Sequence, residues 1–380
     1  MKTYFYLNGK VLYLAIGLLI VVMFNLSACS FGKPGSMEEI AQQAVEESEI
    51  PGVVAYIKAD GQAPLVAAAG VSDLESGQAL KDTDQFRVYS ITKSFTALVA
   101  LQLIEEGVLS FDDTVDQWLP ESVVDGVPNS DQMTIRQLLS HSSGAYDHLS
   151  SEMEGMPPFF EQMLASPDHW YTPQELIDFS TQFPPYFAPG EGATYSNTGY
   201  VMLGLIIEAV TGNNIEDEIH ARIIDPLGLT STYFETPETA NNYITGYHLM
   251  EDGELLNVSG SNSNSSYAWA AGSIISNMHD LGRYADALFS GELLQPESHT
   301  EMFTFIPDSH REGRYWGLGT AQVDTRTGQV YAVTGEAGGY EAKIVRIPDL
   351  NVTIIGLFNG MQAEAAYDFI IENGLGLLEN

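Results

Sequence analysis

"YSITKSFTALVALQLIEEG", residues 89–107, is the stretch on which the reading of this chain turns. From Ser90 to Glu106 it is almost wholly apolar, and Gly107 stops it. A helix apolar on nearly every face is a buried one, so this element predicts the centre of a large core. Inside it stands Lys93, one of only seven lysines, three positions after Ser90. Residues three apart share a helix face, with Cβ atoms about 5–6 Å apart. A serine becomes a good nucleophile when a neighbouring base takes its proton, and a lysine becomes such a base when burial lowers its pKa. Ile91, Phe95 and Leu98 would supply the burial. The competing reading is a serine that opens a helix and a lysine that reaches out of it to water.

Spacing alone does not separate the two, because an S-x-x-K occurs about once in a chain of this length at average usage. A second copy runs from Ser30 to Lys33. "YSNTGY", residues 195–200, offers a tyrosine and an amide at Tyr195 and Asn197, between the loop "APGEGAT" and the apolar run "GYVMLGLIIEAVTG". Its pattern also recurs, at Tyr6 and Asn8. The spare copies fall in or beside the N-terminal segment. There Lys2 and Lys10 precede the apolar run Val11 to Phe24, of secretory-signal length but short of the about 20 residues that cross a bilayer. The run ends in "LSAC", Leu26 to Cys29, which resembles a bacterial lipobox. The expectation is a signal peptide over 1–28, lipid attachment at Cys29, and an extracytoplasmic place in a bacterial cell envelope. A plain secretory signal with Cys29 incidental is the alternative.

With one cysteine, no disulfide within the chain is possible. The formal charge of −36 deepens when Lys2 and Lys10 leave with the signal. It excludes nucleic acid and anionic headgroups as partners, since both are repelled. The eight histidines show no metal-ligand spacing, so neither a metal nor another cofactor is expected.

After a tether over 29–37, helical spacing begins at Met37, and "GVVAYIKADGQAPLVAAAG" reads as two strands around Asp60-Gly61. About 110–250 is helical patches broken by Pro- and Gly-rich loops. "RYWGLGTAQV", "QVYAVTG", "GYEAKIVRI" and "NVTIIGLFN" read as strands, and the helical "EAAYDFIIENGL" follows. The predicted class is α/β (α+β): an antiparallel sheet built from both ends of a domain over 38–375, with its parts at about 38–110 and 250–375. An all-helical insertion occupies about 110–250.

Six stretches, in order, carry a resemblance to the serine hydrolases related to class C β-lactamases, low-molecular-weight penicillin-binding proteins and family VIII esterases. They are "FRVYSITKSFTALVALQLIEEGVLSFDDTVDQWLP", "MTIRQLLSHSSGAYDH", "FAPGEGATYSNTGYVMLGLIIEAVTG", "IIDPLGLTSTYF", "AAGSIISNMHDLGRYADALFSGELL" and the closing strands. The resemblance implies a β-lactamase/transpeptidase-like fold. It implies that Ser90 is the nucleophile, Lys93 its base or proton partner and Tyr195 a catalytic tyrosine, with Asn197 holding Lys93 and a substrate carbonyl. The backbone N–H groups of Ser90 and Glu336 would form the oxyanion hole, and Val333, Thr334 and Gly335 would line the substrate. His141, in "LSHSSG", reads as structural.

The third motif departs from the family pattern. "VTGEAGGY" puts Val333 where the family carries a lysine or histidine, which implies weaker handling of carboxylate-bearing β-lactams and D-alanyl peptides. Lys343 and Arg346 are the candidates to replace that charge. The function expected is a serine hydrolase acting through an acyl-serine on an ester, amide or peptide substrate. A surface-tethered binding protein that keeps the fold but not the chemistry is the alternative.

Overall fold

The computed structural model describes residues 34–378 except 49, 151–158, 160–161, 164–165, 167, 240–242, 251–252, 259–263, 327 and 362. Cys29 and the signal segment, residues 1–28, lie outside the described residues.

Helix α1 (Met37–Glu47) opens on Ser36, whose Oγ accepts the Glu39 N–H and so satisfies one of the orphan donors of the first turn. Strands β1 (Gly52–Ala59), β2 (Leu65–Asp73) and β3 (Gln78–Ala79) follow. The chain returns to the same sheet only much later, with β9 (Ile306–Pro307), β10 (Arg314–Trp316), β11 (Ala321–Thr325), β12 (Gly328–Ala337), β13 (Tyr340–Ile347) and β14 (Val352–Phe358). The nine strands lie in the order β3-β2-β1-β14-β13-β12-β11-β10-β9, and every pairing is antiparallel. The join between the two halves is the β1–β14 pair, with Ala55 opposite Gly356.

Both faces of this sheet are covered, which is why β1 and β14 read as nearly continuous apolar runs instead of alternating ones. Val53, Ala55 and Ile57 pack on one side with α1 and the C-terminal helix α6 (Glu364–Leu378). Val54 and Tyr56 face the other side and join the larger core. That core is centred on helix α2 (Thr92–Glu105), of which eleven residues are buried, Lys93 among them. Around it lie α3 (Pro173–Ser180), α4 (Asn197–Thr211) and α5 (Met278–Ser290). Two small sheets stand apart, β4 (Phe86–Arg87) with β8 (Ile274–Ser276) and β5 (Tyr233–Phe234), and β6 (Tyr247–Leu249) with β7 (Leu255–Asn257).

One predicted strand divides. "RYWGLGTAQV" is a hairpin, β10 and β11, joined through Gly317–Thr320, with the Gly317 N–H donating to the Thr320 carbonyl. Gly319 has φ +77° and passes so close to α2 that a Cβ there would lie 2.5 Å from that of Ala97. Apolar residues flanking a Gly-x-Gly read equally as one strand or as a tight turn; packing against α2 decides for the turn.

The segment before Ser90 is pinned by a buried ion pair. Arg87 Nη2 donates to Glu235 Oε1 at 2.6 Å and Arg87 Nε to Oε2 at 2.9 Å, with side-chain exposures of 1% and 0%. Tyr243 and Ser265 hydroxyls complete the network. Removing one partner leaves the other charge buried alone. Glu235→Ala is therefore expected to cost about 3–5 kcal/mol of folding free energy in urea unfolding. A loss under about 1 kcal/mol would show that the pair is not what holds this segment.

Candidate active site

A cavity of about 460 Å³ opens between α2, the start of α4 and β12. Ser90 does not begin the helix itself; it lies in a 3-10 turn, Tyr89–Ile91, that feeds α2. Tyr89 has φ +42°, the left-handed region that a bulky residue avoids, and His141, also lining the cavity, has φ +58°. Such strained residues persist where the surroundings over-determine them, commonly at functional sites.

Ser90, Lys93, Tyr195 and Asn197 come together here. The Tyr195 hydroxyl donates to Ser90 Oγ at 2.7 Å, and Lys93 Nζ lies 3.1 Å from the same oxygen. Lys93 Nζ also donates to Asn197 Oδ1 at 2.7 Å and to the Ala271 carbonyl at 2.8 Å. A neutral amine has two N–H bonds and one lone pair. With both N–H bonds claimed by carbonyl oxygens, the lone pair is left for the Ser90 hydroxyl. The ammonium form would instead donate its third N–H to Ser90. Which form is present depends on burial: Lys93 is 3% exposed, and desolvation brings its amine down to about 7, against the opposing pull of the Asp147 carboxylate. Burial raises the Tyr195 phenol above its usual value, so it stays protonated near neutrality, although its bond to Ser90 pulls the other way.

The sequence reading assigned no role to Asp147, in "GAYDH". Its two carboxylate oxygens each accept from Asn197 Nδ2 at 3.0 Å, and Oδ1 also accepts the Asn197 backbone N–H at 3.1 Å. This turns the amide so that its oxygen must face Lys93. The Asn197 NH₂ is thereby directed to Asp147. Ser196 caps α4 through its Oγ, so the residue that carries the amide is fixed by the helix start.

His141 packs its ring against Tyr195, Tyr200 and Trp316, at centroid distances of 4.6, 5.2 and 4.8 Å. Burial holds its pKa well below the usual value, and its Nδ1 accepts the Ser196 N–H at 3.2 Å. His148 is held the same way, between the Thr198 hydroxyl and the Tyr267 carbonyl, to which its Nε2 donates at 2.8 Å.

The far wall is β12. Its last partner in β11 is Ala321, opposite Ala332, so from Val333 to Ala337 it pairs only with β13. One backbone edge is thus open toward the cavity, the geometry in which an extended substrate can add its own hydrogen bonds. Val333, Thr334, Gly335 and Glu336 all line the cavity. At Gly335 a Cβ would sit 2.1 Å from the Val88 carbonyl oxygen and 2.6 Å from Ser90 N. Only glycine lets the strand pass this close to the Ser90 turn.

The two cations considered as replacements at the third motif are elsewhere. Lys343 pairs with Glu341 at 2.7 Å and lies over the Tyr367 ring of α6, on the opposite face of the sheet from Val333. Arg346 is bidentate to Asp60, at 2.8 and 2.7 Å. Neither lines the cavity; Arg311 and Arg314 do.

Known proteins resemble this chain in sequence and in fold. Penicillin-binding protein 4* of Bacillus subtilis (strain 168) is 29% identical over 76% of this chain and 64% of its own. Esterase EstB of Burkholderia gladioli is 30% identical over 59% of this chain and 57% of its own. The chain thus spans less than two thirds of these curated relatives. Among solved structures, the D-amino acid amidase of Ochrobactrum anthropi SV3 complexed with L-phenylalanine superposes with a TM-score of 0.78 at 26% identity. That match covers 90% of this chain and 98% of the amidase. The family model described as Beta-lactamase matches residues 37–373. With that match across nearly the whole described chain, and the antiparallel sheet and flanking helices already in view, the chain belongs to the beta-lactamase family.

Proposed function

We propose that this protein is a serine hydrolase that works through an acyl-serine intermediate on an ester or amide. The observation that carries the reading is Ser90 Oγ held between Lys93 Nζ and the Tyr195 hydroxyl, 3.1 and 2.7 Å away. In the first half-reaction Ser90 Oγ attacks the acyl carbon while its proton passes to the neutral Lys93 amine. The developing oxyanion is met by the backbone N–H groups of Ser90 and Glu336. As the bond to the leaving group breaks, Tyr195 gives that group a proton and recovers one from Lys93. A water then attacks the acyl ester by the same path in reverse, releasing the acid and restoring Ser90. Asp147 acts by holding Asn197, and through it Lys93, in register.

The names of the similar proteins include an esterase, an amidase and a penicillin-binding protein, so they favour acyl transfer in general over any one substrate. Peptides of D-amino acids and β-lactam-like amides belong to the same reading as substrate candidates. The N-terminal sequence supports tethering to a bacterial envelope membrane through lipid on Cys29. Val333, in place of a cation, favours a second reading, a binding protein with little or no turnover.

Intact mass separates the two. The protein from Ser30 onward, and its Ser90→Ala variant, are each mixed with 4-nitrophenyl acetate and, separately, with a penicillin. An acyl adduct on the wild type, absent from the variant, is the expected result. No adduct with either reagent, or equal adducts on both proteins, would reject Ser90 as the nucleophile.

A further inference from the structure

Lys93 and Asn197 stand on helices of the main core, within α2 and at the start of α4. Tyr195 does not. It lies in a stretch with neither helix nor strand, and its ring packs in a separate small apolar cluster with Ala193, Ile306, Trp316 and Ala321. Ile306, Trp316 and Ala321 come from β9, β10 and β11, the outer edge of the large sheet. The tyrosine is therefore carried by the helical part of the chain, while its ring is supported by the far end of the sheet.

The two parts are joined at one corner, Asp308 and Ser309, between β9 and β10. Asp308 Oδ2 accepts the Trp316 indole N–H at 2.8 Å, and Oδ1 accepts the backbone N–H groups of His310 and Arg311 at 2.7 and 2.9 Å. Its own N–H donates to the Arg314 carbonyl at 2.9 Å. One carboxylate thus closes the turn and fixes the ring beside Tyr195, with centroids 5.4 Å apart, through bonds strengthened by its charge. Ser309 then takes both backbone groups of Ala193, two residues before Tyr195. Its Oγ accepts the Ala193 N–H at 2.8 Å, and its N–H donates to the Ala193 carbonyl at 2.8 Å. A Cβ on Gly192 would lie 2.6 Å from this Oγ, so the segment is drawn against the corner as closely as glycine allows. On the other flank the His141 carbonyl accepts the Thr194 N–H at 2.9 Å, and its Nδ1 accepts that of Ser196.

We propose that Asp308 and Ser309 are positioning residues for Tyr195: they set where its hydroxyl stands relative to Ser90 and the leaving group. The proposal rests on Tyr195 being the proton donor in the reaction above. Such a corner has a chemical signature. A 4-nitrophenolate leaves unaided, whereas an alkoxide must be protonated as it departs. A donor displaced by about 1 Å can cost ~10²-fold in rate. Loosening the corner therefore penalises alkyl esters and spares nitrophenyl esters, while general damage to the cavity penalises both.

The test compares kcat/KM, which reports acylation, for ethyl butyrate and 4-nitrophenyl butyrate. In Asp308→Ala the ethyl ester is expected to lose about 10–50-fold more than the nitrophenyl ester. Ser309→Ala, a milder change at an exposed position, should lose about 3–10-fold more, and Asp308→Asn should recover part of the Asp308→Ala difference. Tyr195→Phe is the reference and should show the same selectivity. Given that reference, equal losses on the two esters, or no loss, overturn the proposal. A Tyr195→Phe without selectivity rejects the proton-donor reading instead, and the corner is then judged by deuterium exchange in Asp308→Ala. Faster exchange in the peptide 193–200, with 90–100 unchanged, supports the proposal in a protein of any activity. Unchanged exchange in 193–200, or equal acceleration in both peptides, overturns it.

Discussion

Replacing Lys93 with methionine is expected to lower kcat by about 10³–10⁴-fold while leaving the fold intact. The side chain is of similar length and apolar, and its surroundings already exclude water, so what is lost is the base. The pH dependence supplies the sign. Burial holds the Lys93 amine at about 7, so below that pH the ammonium donates to Ser90 instead of accepting its proton. The wild-type kcat/KM should therefore fall as pH drops through about 7, and this limb should be missing from the residual activity of Lys93→Met. Stability runs in the same direction. A lysine in the unfolded chain keeps its proton up to about 10.4, whereas the folded one releases it near 7, so the unfolded state binds more protons between those values. The contribution to stability rises with pH across that window and is least favourable below 7. Lys93→Met should accordingly melt no lower than wild type at pH 6. A variant that keeps more than a tenth of the wild-type rate, or a wild type with no limb near 7, would remove Lys93 from the role of base.

Gly335→Ala is expected to produce the second largest loss, about 10²–10³-fold in kcat, without touching any reacting side chain. The added Cβ meets backbone atoms, the Val88 carbonyl oxygen at 2.1 Å and Ser90 N at 2.6 Å, so no side chain can yield. Either β12 or the Ser90 turn must move. That turn is itself fixed, by the Val88 N–H to the Ile274 carbonyl at 3.0 Å and by the Arg87–Glu235 pair. The donors proposed for the oxyanion, Ser90 and Glu336 N–H, then separate, and small displacements at such a site cost much of its electrostatic effect. The rate constant for acylation by 4-nitrophenyl acetate, measured with the melting temperature, tests this. An acylation rate within threefold of wild type would show that the strand does not contribute to the oxyanion site.

Much of this site was legible from short motifs, because the fold places Ser90 and Lys93 one turn apart on a single segment. That pair needs only local geometry, and Lys93 betrays itself as a cation inside an apolar run. Tyr195 and Asn197 were reached through the family pattern and not through spacing, since a Y-x-N carries no local signal. Asp147, in "GAYDH", carries no local signal of its role. An acidic residue in a loop looks like any other among fifty-one in this chain until its partner, fifty positions away, is seen to be the amide that holds Lys93. The Ala271 carbonyl had no signal at all, because every residue carries one.

Amino-acid order alone determined the elements: an apolar helix after Ser90, apolar strands at both ends, and glycines where chains pass closely. Those follow from side-chain periodicity and backbone freedom, which are local properties. Tertiary structure alone decided which charges meet. It paired Lys343 and Arg346 with carboxylates away from the cavity, left Arg314 half-buried beside Trp316 with no ion pair among the described residues, and brought Ala271 within 2.8 Å of an amine 178 residues earlier. Electrostatic interactions and burial depend on distances in space, and those are set only when the two halves of the sheet close around the helices between them.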